Sequence, residues 1–172
     1  PRSTLFPYTT LFRSARIAKE KYPDAKIVFV GPCVAKRKEA QRDEAVDFVM
    51  TFEEISSIFD AFEVNLEIVQ PYAMEFSSVR EAHGFAQAGG VMGAVKAFLK
   101  MEADKINAIQ VSDLNKKNIG TLRAYAKSGK APGQFIEVMA CEGGCITGPS
   151  THSGSNGKRQ LVQELAKQEK TY

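Results

Sequence analysis

The three cysteines are the residues of this chain that most clearly indicate chemistry. Cys33 follows a short apolar run at residues 26–30, and Cys141 and Cys145 lie in a glycine-rich segment after a second run at residues 135–140. Each run predicts a strand, and an α/β sheet displays its ligands at the carboxyl ends of its strands. Three thiolates that converge from two such loops indicate an iron–sulfur cluster rather than a disulfide.

Other interpretations of these cysteines stay open on the residues alone. The spacing Cys141-x-x-x-Cys145 is a weak pattern by itself, because buried and unreactive cysteines are common in protein cores. Zinc is the main competing metal, but His152 stands seven residues beyond Cys145, and a zinc site needs a further pair of cysteines or histidines. Gly143 and Gly144 lack side chains, so the backbone between the two thiols can approach a bulky inorganic group.

The segments around the cysteines resemble two signatures of the FeFe hydrogenase catalytic domain. A signature that reads roughly Pro-Cys-x-x-Lys-x-x-Glu is matched by Pro32, Cys33, Lys36 and Glu39. A second signature, Met-Ala-Cys-x-Gly-Gly-Cys, is matched in full by residues 139–145. Two matches in the family's order, about a hundred residues apart, are far more specific than a single pair of cysteines.

The resemblance implies the cofactor of that family, the H-cluster. In it, a 4Fe-4S cubane is joined through one bridging cysteine to a two-iron subcluster with CO, cyanide and dithiolate ligands. By motif position, Cys33 and Cys141 would be cubane ligands and Cys145 would be the bridging thiolate. Pro32 and Ala140 belong to the same cofactor-binding segments.

The resemblance also implies roles for three residues beside the cluster. Lys36 would hold a cyanide of the two-iron subcluster, since an ammonium is a compact charge with several hydrogen-bond donors. Glu39 would belong to a proton route to bulk water, and Met139 would pack against the two-iron subcluster. On residue type alone, a solvated lysine, a surface glutamate and a core strand methionine are the competing interpretations.

The chain has three cysteines, whereas a 4Fe-4S cubane takes four thiolates. In the family, a first signature similar to Thr-Ser-Cys-Cys-Pro supplies one ligand, and here it would fall before Ala15. Residues 4–14 instead read like an in-frame translation of a common short-read sequencing adapter, with an ordinary amphipathic leader as the alternative. We therefore expect residues 1–14 to be an adapter artefact and residues 15–172 to be a partial iron hydrogenase catalytic domain.

Several positions depart from the family pattern. Glu142 stands where many members have proline, Gly31 where many have methionine, and Gly93 where a glutamate is common after a Gly-Gly-Val-Met helix start. Residues 148–150 replace a glycine-rich continuation. These departures indicate a divergent branch, including a slow or hydrogen-sensing form.

The function that the resemblance implies is an iron–sulfur oxidoreductase that reversibly reduces protons to dihydrogen. Electrons would come from ferredoxin or from an upstream ferredoxin-like domain, hydrogenase maturation proteins would supply the two-iron subcluster, and this fragment alone would be inactive. The alternatives are a hydrogen-sensing homologue without turnover and a relative of the cytosolic iron–sulfur assembly factors, which bind cubanes without the two-iron subcluster. A redox module with only a structural cluster is a more distant alternative.

The bulk composition excludes several other classes of protein. The 172 residues are 44% hydrophobic and 25% charged, which is typical of a globular chain with a core. No apolar run reaches the roughly 18 residues of a membrane span. The net charge is +3, of which Arg2 and Arg13 supply two, so no nucleic-acid partner is indicated. The odd cysteine count and the lack of a visible signal peptide favour a cytoplasmic location.

The elements that must position the cysteines follow from periodicity and caps. Strands are predicted at residues 26–30, 46–50, 106–111 and 135–140, and helices at residues 15–22, 52–62, 91–102, 116–127 and 158–170. Thr51 is the expected N-cap of the second helix, and Gly129 closes the fourth. Residues 36–42 read as a loop or helix start and residues 63–88 as a long surface connection. Alternating strands and helices predict an α/β fold with mainly parallel sheets flanked by helices, as a part of the two-lobed iron hydrogenase catalytic fold.

Overall fold

The computed structural model of the chain describes residues 10–70 and 80–167. The chain divides into two compact units, unit 1 at Pro1–Val69 and unit 2 at Gln70–Tyr172. Each unit holds one pair of parallel strands together with helices, which confirms the predicted α/β class with mainly parallel sheets. The four described strands form two separate two-stranded sheets.

Unit 1 is built around the parallel pair that precedes Cys33. Its elements in order are α1 (Thr10–Lys21), β1 (Val28–Val30), α2 (Ala35–Ala40), β2 (Phe48–Met50) and α3 (Phe52–Ala61). In the register of the sheet, Val28 lies opposite Phe48 and Val30 lies opposite Met50. The segment predicted as a loop or helix start at residues 36–42 is therefore mostly the short helix α2.

The core of unit 1 lies between α1 and the segment that leads into β2. Its buried members are Phe12, Ala15, Ala45 and Val46. The first helix begins at Thr10 rather than at residue 15, because Phe12 continues the apolar face of α1 into this core. The proposed adapter origin of residues 1–14 stays a prediction.

The first strand is shorter and less buried than its apolar run predicts. Phe29 packs against the core, whereas Val28 and Val30 are 46% and 39% exposed. Successive side chains of a strand point to opposite faces, so only one face of this two-stranded sheet meets α1. The prediction of a continuously buried strand at residues 26–30 is therefore wrong.

The predicted N-cap of α3 is confirmed. The Thr51 hydroxyl accepts a hydrogen bond from the Glu54 N–H at 3.2 Å, and the Glu54 carboxylate accepts one from the Thr51 N–H at 2.8 Å. This reciprocal capping box satisfies two of the N–H groups that the first turn of a helix leaves without partners. It fixes where the chain turns from β2 into α3.

Unit 2 is built around the parallel pair that precedes the other two cysteines. Its α-helices and strands are α4 (Arg80–His83), α5 (Gly90–Leu99), β3 (Ala108–Ser112), α6 (Lys116–Ser128), β4 (Phe135–Met139) and α7 (Gly154–Lys167). Short 3₁₀ helices stand at Gly84–Ala86, Lys100–Lys105 and Cys145–Thr147. Strands β3 and β4 run in register from Ala108 opposite Phe135 to Ser112 opposite Met139.

Some sequence boundaries in unit 2 were wrong. The surface connection predicted at residues 63–88 contains α4 and a 3₁₀ turn, while its residues 71–79 lie outside the described part of the chain. Helix α5 stops at Leu99, because Lys100 adopts a positive φ of 49°. The last helix begins at Gly154, and its predicted end at residue 170 lies outside the described residues.

The predicted end of α6 is confirmed. Gly129 adopts the left-handed conformation with φ 66°, and its N–H donates to the Tyr125 carbonyl at 2.9 Å. None of the helices within the described ranges is long and apolar enough to span a membrane.

Asp47, just before β2, ties three parts of unit 1 together and generates a testable prediction. Its carboxylate accepts hydrogen bonds from the Ile27 N–H at 2.8 Å and from Lys26 at 3.2 Å, and it forms an ion pair with Lys19 at 2.9 Å. The Ile27 N–H first, and then Lys19, lower the pKa of Asp47 well below its usual value. Because the pKa of Asp47 is lower in the folded than in the unfolded chain, the ionised carboxylate stabilises the fold. This stabilisation is fully present above the unfolded-state pKa of about 4 and is lost as the pH falls from there towards the folded-state pKa.

We expect Asp47→Asn to lower the urea midpoint of unfolding at pH 7. The difference in midpoint between the variant and wild type should narrow from about pH 5 to about pH 2, because the wild-type carboxylate becomes protonated. The measurement is urea unfolding followed by circular dichroism across this pH series. Asp24→Asn, at an exposed carboxylate, is the matched control and should show no such gap. Equal midpoints of wild type and Asp47→Asn at pH 7 would contradict the assignment.

Candidate functional site

The cysteine loop, residues 141–145, begins directly at the end of β4. Cys141 is half-buried and Cys145 is exposed at the start of a 3₁₀ turn. The loop lies next to the end of β3, because Ser112 stands opposite Met139 in the parallel register. The prediction that both cysteines follow a strand at the carboxyl end of a parallel pair is confirmed.

The backbone conformation of the cysteine loop requires both of its glycines. Gly143 and Gly144 have positive φ angles of 79° and 99°, which favour glycine. A Cβ placed on Gly144 would lie 2.4 Å from the backbone nitrogen of Ala88 and 2.7 Å from the carbonyl oxygen of Ala86. The glycines were expected to leave room for an inorganic group, but the backbone before α5 occupies the space at Gly144.

Hydrogen bonds from two neighbouring segments hold the cysteine loop. The Ala88 N–H donates to the Gly143 carbonyl at 3.0 Å. From the other side, the Ser112 hydroxyl accepts from the Gly143 N–H at 2.9 Å and donates to the Cys141 carbonyl at 3.3 Å. The Gly144 N–H also donates to the Cys141 carbonyl, at 3.1 Å. The loop conformation is thus set by the strand end and by the turn before α5.

The turn after the cysteine loop is closed by its own residues. The Thr147 hydroxyl donates to the carbonyls of Glu142 and Gly144, and the Gly148 N–H donates to the Cys145 carbonyl at 2.9 Å. At the other end, the Leu114 N–H donates to the Ala140 carbonyl at 3.1 Å. Hydrogen bonds therefore define the backbone on both sides of the two thiols.

Glu137 positions this region of unit 2 and was not predicted from the sequence. It lies on β4, is only 5% exposed, and accepts hydrogen bonds from the N–H groups of Gly89 and Met92, both at 2.6 Å. A carboxylate at a helix N-terminus is favourable, because it meets the positive end of the helix dipole and the unpaired N–H groups. The sequence held one signal for this role: Glu137 stands two residues before Met139 in a strand whose side chains alternate between the two faces of the sheet.

The Cys33 loop, residues 31–34, joins β1 to α2 in unit 1. The Gly31 N–H donates to the Met50 carbonyl at 3.0 Å, and the Cys33 carbonyl accepts from the Lys36 N–H at 3.3 Å as α2 begins. Cys33 and Pro32 are half-buried. As in unit 2, the thiol follows the carboxyl end of a parallel strand.

Lys36 and Glu39 form an ion pair within α2. The Lys36 ammonium lies 2.7 Å and 2.8 Å from the two carboxylate oxygens of Glu39, and the lysine side chain is only 17% exposed. Lys36 is therefore not the solvated side chain that its residue type alone allowed. The cyanide-binding role of Lys36 and the proton-route role of Glu39 stay predictions.

A second ion pair orients α2 against α3. Arg37 lies 2.5 Å from the Glu54 carboxylate, whose other contact is the Thr51 N–H of the capping box. The Thr51 N–H first, and then Arg37, lower the pKa of Glu54. Both groups are about half exposed, so we assign this pair an orienting role rather than a large stabilising one.

The donor set fits soft-metal chemistry, because all three cysteines carry thiols rather than disulfides. Unit 2 offers two thiols on one loop and unit 1 offers one. Within each unit, the described residues bring together no group of three or more His, Cys, Asp or Glu side chains that could hold a metal ion. Met139 is half-buried and Ala140 is exposed, and their predicted contacts with a cofactor stay predictions.

Comparisons with known proteins agree with this donor chemistry. The family model described as "Iron only hydrogenase large subunit, C-terminal domain" matches residues 10–149. The chain is 28% identical to the nuclear prelamin A recognition factor of Danio rerio over 80% of its own length and 39% of the relative. It is also 28% identical to the cytosolic Fe-S cluster assembly factor narfl of Danio rerio, over 83% of the chain and 46% of that protein.

A solved structure shares the fold. It is that of HydA(deltaEFG), described as revealing stepwise [FeFe]-hydrogenase H-cluster assembly, with a TM-score of 0.52 and 20% sequence identity. The match covers 90% of this chain and 56% of the other. The chain therefore spans less than half of both curated relatives and little more than half of the solved structure.

We expect Glu137→Gln to destabilise unit 2 by about 2 kcal/mol, because an amide can replace only one of two charge-assisted bonds to backbone N–H groups. The measurement is thermal and urea unfolding. Glu142→Gln, at an exposed glutamate of the cysteine loop, is the control and should change stability by less than about 0.5 kcal/mol. Equal losses in the two variants would show that Glu137 does not anchor α5.

Proposed function

The chain belongs to the family of the iron-only hydrogenase large subunit, C-terminal domain, and from that premise we propose that it binds an iron–sulfur cluster and serves cluster assembly rather than hydrogen turnover. The observation that carries this proposal is the cysteine loop, which holds two thiols on a backbone fixed by Ser112 and Ala88. The matched signatures add Cys33 as a third thiolate ligand. A bound cluster would supply the electron-transfer and cluster-donor chemistry.

The residues of the loop would do two things for such a cluster. Cys141 and Cys145 would ligate iron as thiolates. Together with Cys33 they would supply three of the four cubane ligands. The backbone bonds at Gly143 and Gly144 would keep both thiols in one arrangement before the cluster arrives. A preformed loop lowers the entropy lost on binding.

One observation supports assembly over hydrogen turnover. A curated relative of this chain is named as a cytosolic Fe-S cluster assembly factor and aligns with 83% of the chain. We accordingly propose a cytoplasmic location and partners that carry iron–sulfur clusters, in place of ferredoxin and hydrogenase maturation proteins.

A second candidate is reversible proton reduction at a cubane-linked two-iron subcluster. The observation that favours it is the low exposure of Lys36 within a matched Cys33-x-x-Lys36-x-x-Glu39 signature. In this case Lys36 and Met139 would contact the two-iron subcluster, and Glu39 would move protons.

We expect the chain, reconstituted without oxygen with iron, sulfide and a small added thiol, to bind a cluster with matching iron and acid-labile sulfide. Cys33→Ser, Cys141→Ser and Cys145→Ser should each weaken cluster binding by at least about tenfold, since even residues that only contact a ligand have effects of that size. Ser128→Ala, at an exposed hydroxyl at the far end of α6, is the control and should bind as wild type does. Full binding by the serine variants would contradict the proposal.

We expect no carbonyl or cyanide infrared bands after the reconstituted chain is incubated with hydrogenase maturation proteins, because assembly needs only the cubane. A competent FeFe hydrogenase matured in parallel provides the positive control. Bands in this chain that shift in a Lys36→Ala variant would overturn the assembly proposal in favour of the second candidate.

A further inference from the structure

We propose that Ser112 is a positioning residue that sets the direction in which Cys141 presents its thiol to a cluster. This inference rests on the proposed cluster-binding function and concerns a residue outside both cysteine signatures. Ser112 ends β3, the neighbouring strand, and stands opposite Met139 in the sheet register. It is therefore next to the point where β4 ends and the cysteine loop begins.

The Ser112 hydroxyl bridges the two sides of Cys141. It donates to the Cys141 carbonyl at 3.3 Å and accepts from the Gly143 N–H at 2.9 Å. A hydroxyl can donate and accept at once, so one side chain satisfies both backbone groups. The bridge restrains the peptide planes between Cys141 and Gly143, and these planes determine where the Cys141 side chain points.

Ser112 is itself held in place by α6. The Asn118 side chain donates to the carbonyls of Ser112 and Asp113, at 3.2 Å and 2.7 Å. Asn118 is in turn fixed in the first turn of α6, where its N–H donates to the capping Asn115 side chain at 2.9 Å. The hydroxyl thus reaches the cysteine loop from a fixed strand end.

The other contacts of the loop do not depend on the Ser112 hydroxyl. The Ala88 to Gly143 bond and the close approach at Gly144 are made by backbone atoms. Removing the hydroxyl should therefore leave the loop in place but release the Gly143 N–H. A released N–H that is half-buried would be available to donate to a thiolate or cluster sulfur of a bound cluster. Hydrogen bonds to these sulfurs are one of the factors that set the reduction potential.

The test compares Ser112→Val with Ser112→Thr, because valine and threonine have the same shape and differ by the hydroxyl. Both suit a strand, so both variants should fold. Ser128→Ala removes a hydroxyl from the far end of α6 and is the second control. Each variant is reconstituted as above, and we measure the rate of iron release to a chelator, the midpoint potential of the cluster, and the unfolding of the apoprotein.

We expect Ser112→Val to release iron about tenfold faster than wild type, corresponding to the loss of a bridging hydroxyl with two bonds. Its midpoint potential should rise, because the released N–H stabilises the reduced and more negative cluster. Ser112→Thr and Ser128→Ala should match wild type in both measurements.

Two failures are distinguishable. If wild type itself holds no cluster, the proposed function is overturned and the role of Ser112 with it. If wild type holds a cluster but Ser112→Val keeps both its release rate and its potential, cluster binding stands and the positioning role is overturned. A variant with less stable apoprotein and an unchanged potential would likewise make Ser112 a purely structural residue.

Discussion

The arrangement of unit 2 depends on the Glu137 carboxylate at the start of α5. Two N–H groups of the helix N-terminus bond to this buried side chain of β4, so the strand and the helix cannot shift independently. The turn just before α5 includes Ala88, which in turn touches the cysteine loop at Gly143 and Gly144. One charge-assisted contact thereby fixes the strand that delivers Cys141 and the turn that confines its loop.

Unit 1 uses the same principle with a different carboxylate. Asp47 joins the end of α1 to the start of β1 through Lys19 and the Ile27 N–H, just ahead of β2. This contact sets the parallel pair whose first strand leads to Cys33. In both units, a partly or fully buried acid holds a short two-stranded sheet that has too few strands to be stable on its own.

The membership of the chain in the iron-only hydrogenase family does not decide its activity, because one fold supports different chemistry at its sites. Lys36 and Glu39 match the hydrogenase signature by position and form an ion pair within α2. Gly31, Gly93 and Glu142 are expected departures from the wider family pattern and are not among the specified residues of the two matched signatures. The three cysteines are matched in either case, so the proposed cluster binding does not depend on which activity the chain has.

Four features could be predicted from the sequence alone: the α/β class, the two cysteine signatures, the Thr51 cap and the Gly129 helix end. Each depends on local periodicity or on residues a few positions apart. The groups that hold the cysteine loop are known only from the folded structure. Ser112 and Ala88 lie far from Cys141 along the chain, and Glu137 reads as an ordinary polar residue of a strand until its helix partner is known. The folded structure also shows that the backbone before α5 lies where a side chain of Gly144 would be. The sequence shows that glycine has no side chain there, but not which atoms fill the space.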